Sequence, residues 1–172
     1  RGMNQLFDVE ELESAFRHYW HVGMILEDWN AWCDLFTEDV DYLERVYGSM
    51  TGRETVRAWI VPVMEKYREI YGVYDWHVVD PRGRVTFYMQ NRRDNPSGEG
   101  YVDFPGISII TYAGNGKWRQ QEDYWAQTIG TQAYVDYEKA LKKFDPGHRE
   151  KATRLHWGDG PSWTQGPKSY WD

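Results

Sequence analysis

The chain has 172 residues, a length typical of one domain with a single sizeable core. Its 20 basic and 27 acidic residues give a net charge of −7. This charge disfavours nucleic-acid binding, because phosphate binding depends on neutralisation by Lys and Arg. Aromatic residues make up 17% of the sequence, and Trp and Tyr rings suit ligand cavities and subunit interfaces about equally well.

Cys33 is the only cysteine, so the sequence allows neither an intrachain disulfide nor a cysteine-based zinc site. Its apolar surroundings predict a buried structural thiol. The first residues lack a basic segment followed by an apolar run, and no stretch approaches the ~18 apolar residues of a membrane span. We therefore expect a cytoplasmic protein that does not bind membranes.

The first part of the chain predicts three helices and one strand. Residues 8–22 place apolar side chains at helical spacing behind an acidic first turn, and residues 27–36 predict a second helix. Residues 40–48 predict a strand. The segment 51–70 predicts a third helix, which Pro62 should kink or restart.

After residue 72 the apolar period changes to that of strands. Segments on either side of the turn DPRG predict one hairpin, and segments on either side of GNG predict another. The polar segment 93–106 between them predicts a mobile flap or rim. Helices followed by a curled antiparallel sheet indicate an α+β fold with a cone-shaped cavity.

The end of the chain predicts an amphipathic helix at 131–144 and a tail rich in Gly, Pro and Trp. We expect residues 1–127 to form the α+β domain. Residues 128–172 are then a helix and an extended tail that pack on the same or a neighbouring subunit.

The segment DWNAWCDLFTEDVDYLERVYGSMTGRETVRAWI (28–60) resembles the nuclear-transport-factor-2-like superfamily and, within it, the SnoaL-like proteins. The shared features are a helix ending in F-x-E-D, a strand, a G-R-E helix start and two late hairpins, the second ending in EDYW. The resemblance covers about residues 10–127. It implies a cystatin-like α+β barrel, in which a curved antiparallel sheet wraps over the N-terminal helices.

Members of this superfamily include isomerases, dehydratases, epoxide hydrolases, cyclases, carbon–carbon lyases and binding modules, and most work without a cofactor. Its ketosteroid isomerases place a carboxylate base on the first strand, at the position that corresponds to Glu44. Rings such as Tyr42 and Tyr47 would enclose this position, and desolvation raises the pKa of a carboxylate toward a value useful for proton transfer. The alternative is a surface ion pair of Glu44 with Arg45 or Arg53.

The oxyanion donor of those isomerases corresponds to Ser108. The GNG turn pairs position 108 with Asp123, and Gln121 and Trp125 share that face. The four residues then form a polar and aromatic wall, unless Asp123 pairs with an arginine. The Asp–His dyad of the superfamily's dehydratases is absent, since its Asp position corresponds to Ile25.

His77 is a further candidate, in the stretch YDWHVVD. With Arg82 and Gly83 as the turn tip, His77 lies opposite Tyr88 and Asp75 lies opposite Gln90. The carboxylate, the imidazole and the phenol on this face of the hairpin could relay a proton, or the four residues could form a hydrated outer face. Trp76, Val78, Phe87 and Met89 would occupy the opposite face, together with Asn91.

Together these observations predict a cofactor-independent lyase that acts on a bulky apolar, aromatic or polycyclic molecule such as an aryl-substituted diol. Glu44 is the expected general base, and Asp123, His77 and either Tyr42 or Tyr88 supply a proton or stabilise an oxyanion. The expected substrate-binding residues are Tyr19, Trp20, Trp59, Asn91, Ser108, Gln121 and Trp125.

Two alternatives remain: a ketosteroid-isomerase-like isomerase and a non-catalytic module that binds a small molecule. We expect no cofactor, and no metal, because none of the histidines shows metal-ligand spacing with acidic residues. The aromatic content also predicts a homo-oligomer, either a dimer or a trimer.

Overall fold

The computed structural model describes residues 6–152, whose helices and strands confirm the α+β fold class. The helices are α1 (Val9–Trp20), a π-helical turn (His21–Ile25), α2 (Trp29–Cys33), α3 (Arg53–Lys66), α4 (Gln127–Phe144) and α5 (His148–Lys151). The strands are β1 (Phe36–Glu44), β2 (Gly48–Thr51), β3 (Tyr71–Asp80), β4 (Arg84–Asp94), β5 (Tyr101–Gly114) and β6 (Lys117–Trp125). The predictions for 153–172 lie outside the described residues.

Helix α1 begins at an N-cap and buries one face. The Asp8 side chain accepts hydrogen bonds from the backbone N–H groups of Glu10 and Glu11, which the first turn leaves without helical partners. Phe16 and Tyr19 are fully buried at helical spacing, and both rings pack on the Phe87 ring of β4. Helix α1 thus covers part of the inner face of the sheet. None of the described helices is long and apolar enough to cross a membrane.

The strands form one curved sheet in the order β2-β1-β6-β5-β4-β3. Neighbouring strands are antiparallel except β1 and β6, which pair in parallel. This parallel register sets Tyr42 beside Gln121 and Glu44 beside Asp123. Two pairs of polar side chains, from strands far apart in sequence, therefore lie next to each other on the sheet.

The connection between β4 and β5 differs from the prediction of a long polar loop. The strands run to Asp94 and from Tyr101, so only residues 95–100 remain outside them. The Nε and Nη2 atoms of Arg92 donate to the Asp103 carboxylate at 2.9 and 2.7 Å. This cross-strand pair supports the added length, because each polar side chain finds its partner on the neighbouring strand.

Helix α3 runs through Pro62, so it does not restart there. An internal proline costs a helix about 3 kcal/mol. Val56 and Ile60 are buried in the core on the same helix, and their burial holds α3 in place. The predicted first strand also divides, into β1 and the short β2.

Helix α4 passes close to the end of β6 at Gly130. A Cβ atom at this position would lie 2.5 Å from Cζ3 of Trp125 and 3.6 Å from Cδ2 of Phe104. Only glycine therefore fits here without a shift of the Trp125 indole.

We predict that Gly130→Ala lowers the free energy of unfolding by about 1–2 kcal/mol, because the cost of overpacking exceeds the gain of ~1 kcal/mol in helix propensity. Urea denaturation measures the change. Thr128→Ala, at an exposed position of α4, is the control and should change stability by less than ~0.5 kcal/mol. Unchanged or raised stability of Gly130→Ala would contradict the close approach.

Candidate functional site

A cavity of about 360 Å³ lies between the inner face of the sheet and helices α3 and α4. This volume falls within the range of roughly 300–1,000 Å³ that small-molecule sites occupy. Its wall is mostly apolar, with three methionines, Met24, Met64 and Met89, among several aromatic rings. Two carboxylates, those of Glu44 and Asp123, reach this wall from neighbouring strands.

Asp123 accepts three hydrogen bonds from side chains of the cavity wall. Its Oδ1 accepts from Ser108 Oγ at 2.7 Å and from Gln121 Nε2 at 2.8 Å. Its Oδ2 accepts from the Tyr42 hydroxyl. The Ser108 contact confirms the predicted pairing of positions 108 and 123 in the second hairpin.

Gln121 extends this network to helix α1. Its amide Nε2 also donates to the Tyr42 hydroxyl at 2.8 Å, and its Oε1 accepts from the Tyr19 hydroxyl at 2.7 Å. Both amide hydrogens and the carbonyl are therefore used, which fixes the orientation of the side chain. The result is one connected network from Tyr19 through Gln121 to Tyr42 and Asp123.

The surroundings of Asp123 change its acidity. Burial raises the pKa of Asp123 above its usual value, while the bonds from Ser108, Tyr42 and Gln121 oppose the rise and the charge of Glu44 adds to it. Burial and the nearby charge of Asp123 raise the pKa values of Tyr19 and Tyr42 well above the usual range. Both phenols are therefore protonated donors at neutral pH.

Glu44 has a different environment, although it also lines the cavity and is only 4% exposed. Its Oε2 accepts from the backbone N–H groups of Val46 and Tyr47, each at 2.6 Å, and its Oε1 accepts from the Trp125 indole. The surface ion pair with Arg45 or Arg53 is not formed, since Glu44 has these three donors instead. Both oxygens of Glu44 therefore hold the β1–β2 turn and the Trp125 ring in place.

Nine of the twelve residues proposed from the sequence line this cavity. They are Tyr19, Tyr42, Glu44, Trp59, Asn91, Ser108, Gln121, Asp123 and Trp125. The structure does not bring the other three, Trp20, His77 and Tyr88, to the cavity wall.

The predicted register at His77 is wrong by one residue, because Pro81, Arg82 and Gly83 form a three-residue turn with Asp80 opposite Arg84. His77 consequently lies opposite Phe87 and points inward.

His77 is buried between the sheet and α1. Its Nε2 lies 2.7 Å from Oε2 of Glu13, its Nδ1 lies 2.9 Å from the Tyr74 hydroxyl, and its ring packs on Phe16. The expected pairing of Asp75 with Gln90 is also absent, since a bulge at Asp75 interrupts the register. His77 therefore joins core elements outside the cavity.

Tyr88 and Trp20 also lie outside the cavity wall. The same register places Tyr88 opposite Trp76, and their rings stack at 5.6 Å with an interplanar angle of 3° on the outer face. Trp20 is fully buried, with its ring against Phe87 and Tyr74. The outer stack is compatible with the expected homo-oligomer, which stays a prediction.

Several cavity residues were not found from the sequence. Met24 and Met89 meet across Gly72, where a Cβ atom would lie within 2.9 Å of both side chains. Arg93 was predicted at the boundary between the second strand of the first hairpin and the polar segment 93–106, and strand β4, which continues to Asp94, carries its side chain to the cavity. The strand alternation that continues from Met89 to Arg93 was the available signal.

The described residues contain no group of three or more His, Cys, Asp or Glu side chains that could hold a metal ion.

The family model described as a SnoaL-like domain matches residues 16–121, more than half of the chain, and the chain belongs to this family. Solved structures show the same fold. A nuclear-transport-factor-2-like protein of Anabaena variabilis is 16% identical with a TM-score of 0.55, and the match covers 73% of this chain and 96% of that chain. No curated protein sequence matches the chain.

Two further similar structures come from proteins described as enzymes. A protein of Shewanella putrefaciens, described as a SnoaL-like polyketide cyclase, is 10% identical with a TM-score of 0.60, covering 74% of this chain and 87% of that one. The epoxide hydrolase/cyclase-like enzyme SalBIII of salinomycin formation is 16% identical with a TM-score of 0.58, covering 71% and 95%. At these identities the similarity establishes the fold.

We predict that Glu44→Gln lowers the free energy of unfolding by about 1–3 kcal/mol at pH 7, because an amide replaces a carboxylate that accepts three hydrogen bonds. Urea denaturation measures the change. Glu38→Gln is the matched control on the same strand. The Glu38 side chain is 91% exposed, and among the described residues its one ion pair, with Arg53, is long at 3.9 Å. Its expected effect is below ~0.5 kcal/mol. Equal losses in the two variants would show that the Glu44 bonds contribute nothing specific.

Proposed function

We propose that this protein is a cofactor-independent lyase that acts by general acid/base catalysis on a bulky apolar, aromatic small molecule such as an aryl-substituted diol. The observation that carries the proposal is the pairing of Asp123 with Tyr42 in an apolar cavity. A carboxylate with a raised pKa lies beside a protonated phenol, which provides a proton acceptor and a proton donor at one place.

Asp123 rather than Glu44 is the proposed base. Two backbone donors and an indole hold the oxygens of Glu44, and a proton on Glu44 would weaken these bonds, because a neutral carboxyl group is a poorer acceptor than a carboxylate. The donors to Asp123 are the hydroxyls of Ser108 and Tyr42 and one amide. Hydroxyl groups rotate and can accept as well as donate, so this network tolerates a proton on Asp123.

The proposed reaction on an aryl-1,3-diol needs only the transfer of protons. Asp123 accepts the proton of the primary hydroxyl, and the bond between that carbon and the chain breaks to release formaldehyde. The electron pair of this bond forms the alkene as the benzylic hydroxyl leaves. Tyr42 protonates this hydroxyl, which departs as water, and the proton on Asp123 returns to Tyr42 along their hydrogen bond.

The remaining wall of the cavity fits an aromatic substrate. The Trp59 ring centroid lies 5.4 Å from that of Tyr42 and 5.5 Å from that of Tyr47. These rings form an aromatic surface next to the proposed acid–base pair. Met24 and Met89 supply flexible, polarisable contacts that adapt to rings of different shape. An isomerase acting on a ring ketone would use the same base, so substrate panels must include both classes.

A binding module is the second candidate, and one observation favours it. Each oxygen of Asp123 and Glu44 accepts at least one hydrogen bond from the protein. A cavity whose polar groups are satisfied in this way could hold a ligand without chemical change. Binding without turnover would support this candidate.

We predict that Asp123→Asn lowers kcat by about 10²–10⁴-fold on a panel of aryl-substituted 1,3-diols and ring ketones, because the amide cannot accept the proton. Tyr42→Phe should lower kcat as well, since it removes the proposed donor. Glu122→Gln is the control: within residues 6–152 this neighbour bonds Gln120 and Tyr124 alone, and the variant should retain wild-type turnover. Wild-type turnover by Asp123→Asn would remove Asp123 from the mechanism.

The pH dependence of the reaction follows from the raised pKa of Asp123. The ionised carboxylate is the active form, so kcat should fall as the pH falls through this pKa. We therefore expect the acidic limb of the profile to lie above the usual aspartate value of about 4. A limb at or below that value would contradict the assignment of Asp123 as the base.

A further inference from the structure

Arg93 is an incompletely paired charge in the wall of the cavity. The residue is 2% exposed and lines the cavity from strand β4. Its Nε donates to Glu69 at 3.3 Å, whereas its Nη1 is buried and makes no hydrogen bond with the described residues. A buried guanidinium normally uses its planar set of donors, often two at a time on one carboxylate.

Glu69 does not complete the pairing of Arg93. The same Oε1 atom lies 3.4 Å from Arg149, so two guanidinium groups share it, and the other oxygen of Glu69 has no hydrogen-bond partner among the described residues. The N–O distances from Glu69 to Arg93 and to Arg149 both exceed the roughly 2.7–2.9 Å that is typical of strong charge-assisted hydrogen bonds. Burial lowers the pKa of Arg93, as expected for a charge that its surroundings solvate poorly.

The position of Arg93 separates it from Asp123 along the sheet. Phe87 lies opposite Ser108, which lies opposite Asp123, and Arg93 follows Phe87 by six residues on β4. Six residues of strand span about 20 Å, and the curvature of the sheet shortens the path through the cavity. Met89 and Asn91 lie between the two regions, and the Asn91 amide donates to the Phe104 carbonyl at 3.4 Å. The cavity thus has an ionisable group near each end, with Met89 and Asn91 between them.

We propose that Arg93 binds a carboxylate on the far end of the molecule that occupies this cavity, so that its ligands are extended aromatic acids. This inference deepens the proposed function, on which its reference to a substrate rests. One guanidinium whose Nη1 has no partner among the described residues suits a group of single negative charge. A doubly charged group is disfavoured because the Glu69 carboxylate lies 3.3 Å from Arg93 and would repel it.

Arg92 offers a matched control. It is the neighbour of Arg93 in the chain, but it lies on the other face of β4, paired with Asp103 and stacked on the Tyr101 ring at 4.1 Å. Removal of either arginine changes the net charge equally, and only one of the two lines the cavity.

Equilibrium binding of two probes tests the inference. The probes are 4′-hydroxystilbene-4-carboxylic acid and its primary amide, which has nearly the same shape but no charge, and tryptophan fluorescence follows their binding at pH 7. We expect the wild-type protein to bind the acid about 10–100-fold more tightly than the amide, the range for a hydrogen-bonded charge pair. Arg93→Met should abolish this preference, and Arg92→Met should retain it.

Glu69→Gln provides a second variant with the opposite expected effect. It removes the anion that competes for Arg93, so affinity for the acid should rise while affinity for the amide stays unchanged. The double variant Glu69→Gln, Arg93→Met removes both buried charges and guards against misfolding of Arg93→Met; it should bind both probes equally. A purely structural arginine would not produce these opposite shifts.

Equal wild-type affinity for the two probes, or no binding of either, would overturn the inference. Equal loss of the acid preference in Arg92→Met and Arg93→Met would overturn it too. Turnover does not enter this experiment, so a preference for the acid that depends on Arg93 stands even if Asp123→Asn shows that no lyase reaction occurs.

Discussion

The hydrogen bond from Tyr42 to Asp123 joins β1 to β6, the first and last strands in chain order. The polar end of the cavity depends on this bond. The bond exists because β1 and β6 pair in parallel, although they are far apart in sequence. Gln121 donates to both partners and accepts from Tyr19, which ties the pair to helix α1. Packing of α1 and alignment of Tyr42 with Asp123 are therefore one structural requirement.

Two carboxylates on neighbouring strands have different properties because their donors differ. Backbone N–H groups and an indole can only donate, so both oxygens of Glu44 serve as hydrogen-bond acceptors. Hydroxyl donors can reverse their direction, so they permit Asp123 to exist with or without a proton. The proposed division of labour assigns structure to Glu44 and chemistry to Asp123, and it needs no difference in burial depth.

The sequence contained enough information for the α+β fold and for the pairing of Ser108 with Asp123. Strand periodicity and the short GNG turn set that register locally. The register at His77 was not accessible in the same way, because DPRG forms a three-residue turn rather than the expected two-residue tip. A one-residue shift changes which residues share a face, so His77 and Tyr88, which were predicted to lie opposite each other, lie on opposite faces of the sheet.

Long-range contacts explain the other differences. The location of Glu44 near the cavity followed from its resemblance to the superfamily, but its three donors come from the next turn and from β6. The sequence pattern of a strand does not reveal such partners. The predicted strand ended at Arg93 because Asp, Asn, Pro and Gly follow it, whereas the pairing of Arg92 with Asp103 extends strand β4 beyond Arg93.

The central claim is that Asp123 is a carboxylate whose pKa is raised enough for it to exchange a proton with Tyr42. The most direct measurement is a pH titration of the aspartate carboxyl carbons by NMR in ¹³C-labelled protein, with Asp123→Asn used to assign the Asp123 signal. We expect Asp123 to titrate above the usual aspartate value of about 4. Titration of Asp123 at or below that value would contradict the claim.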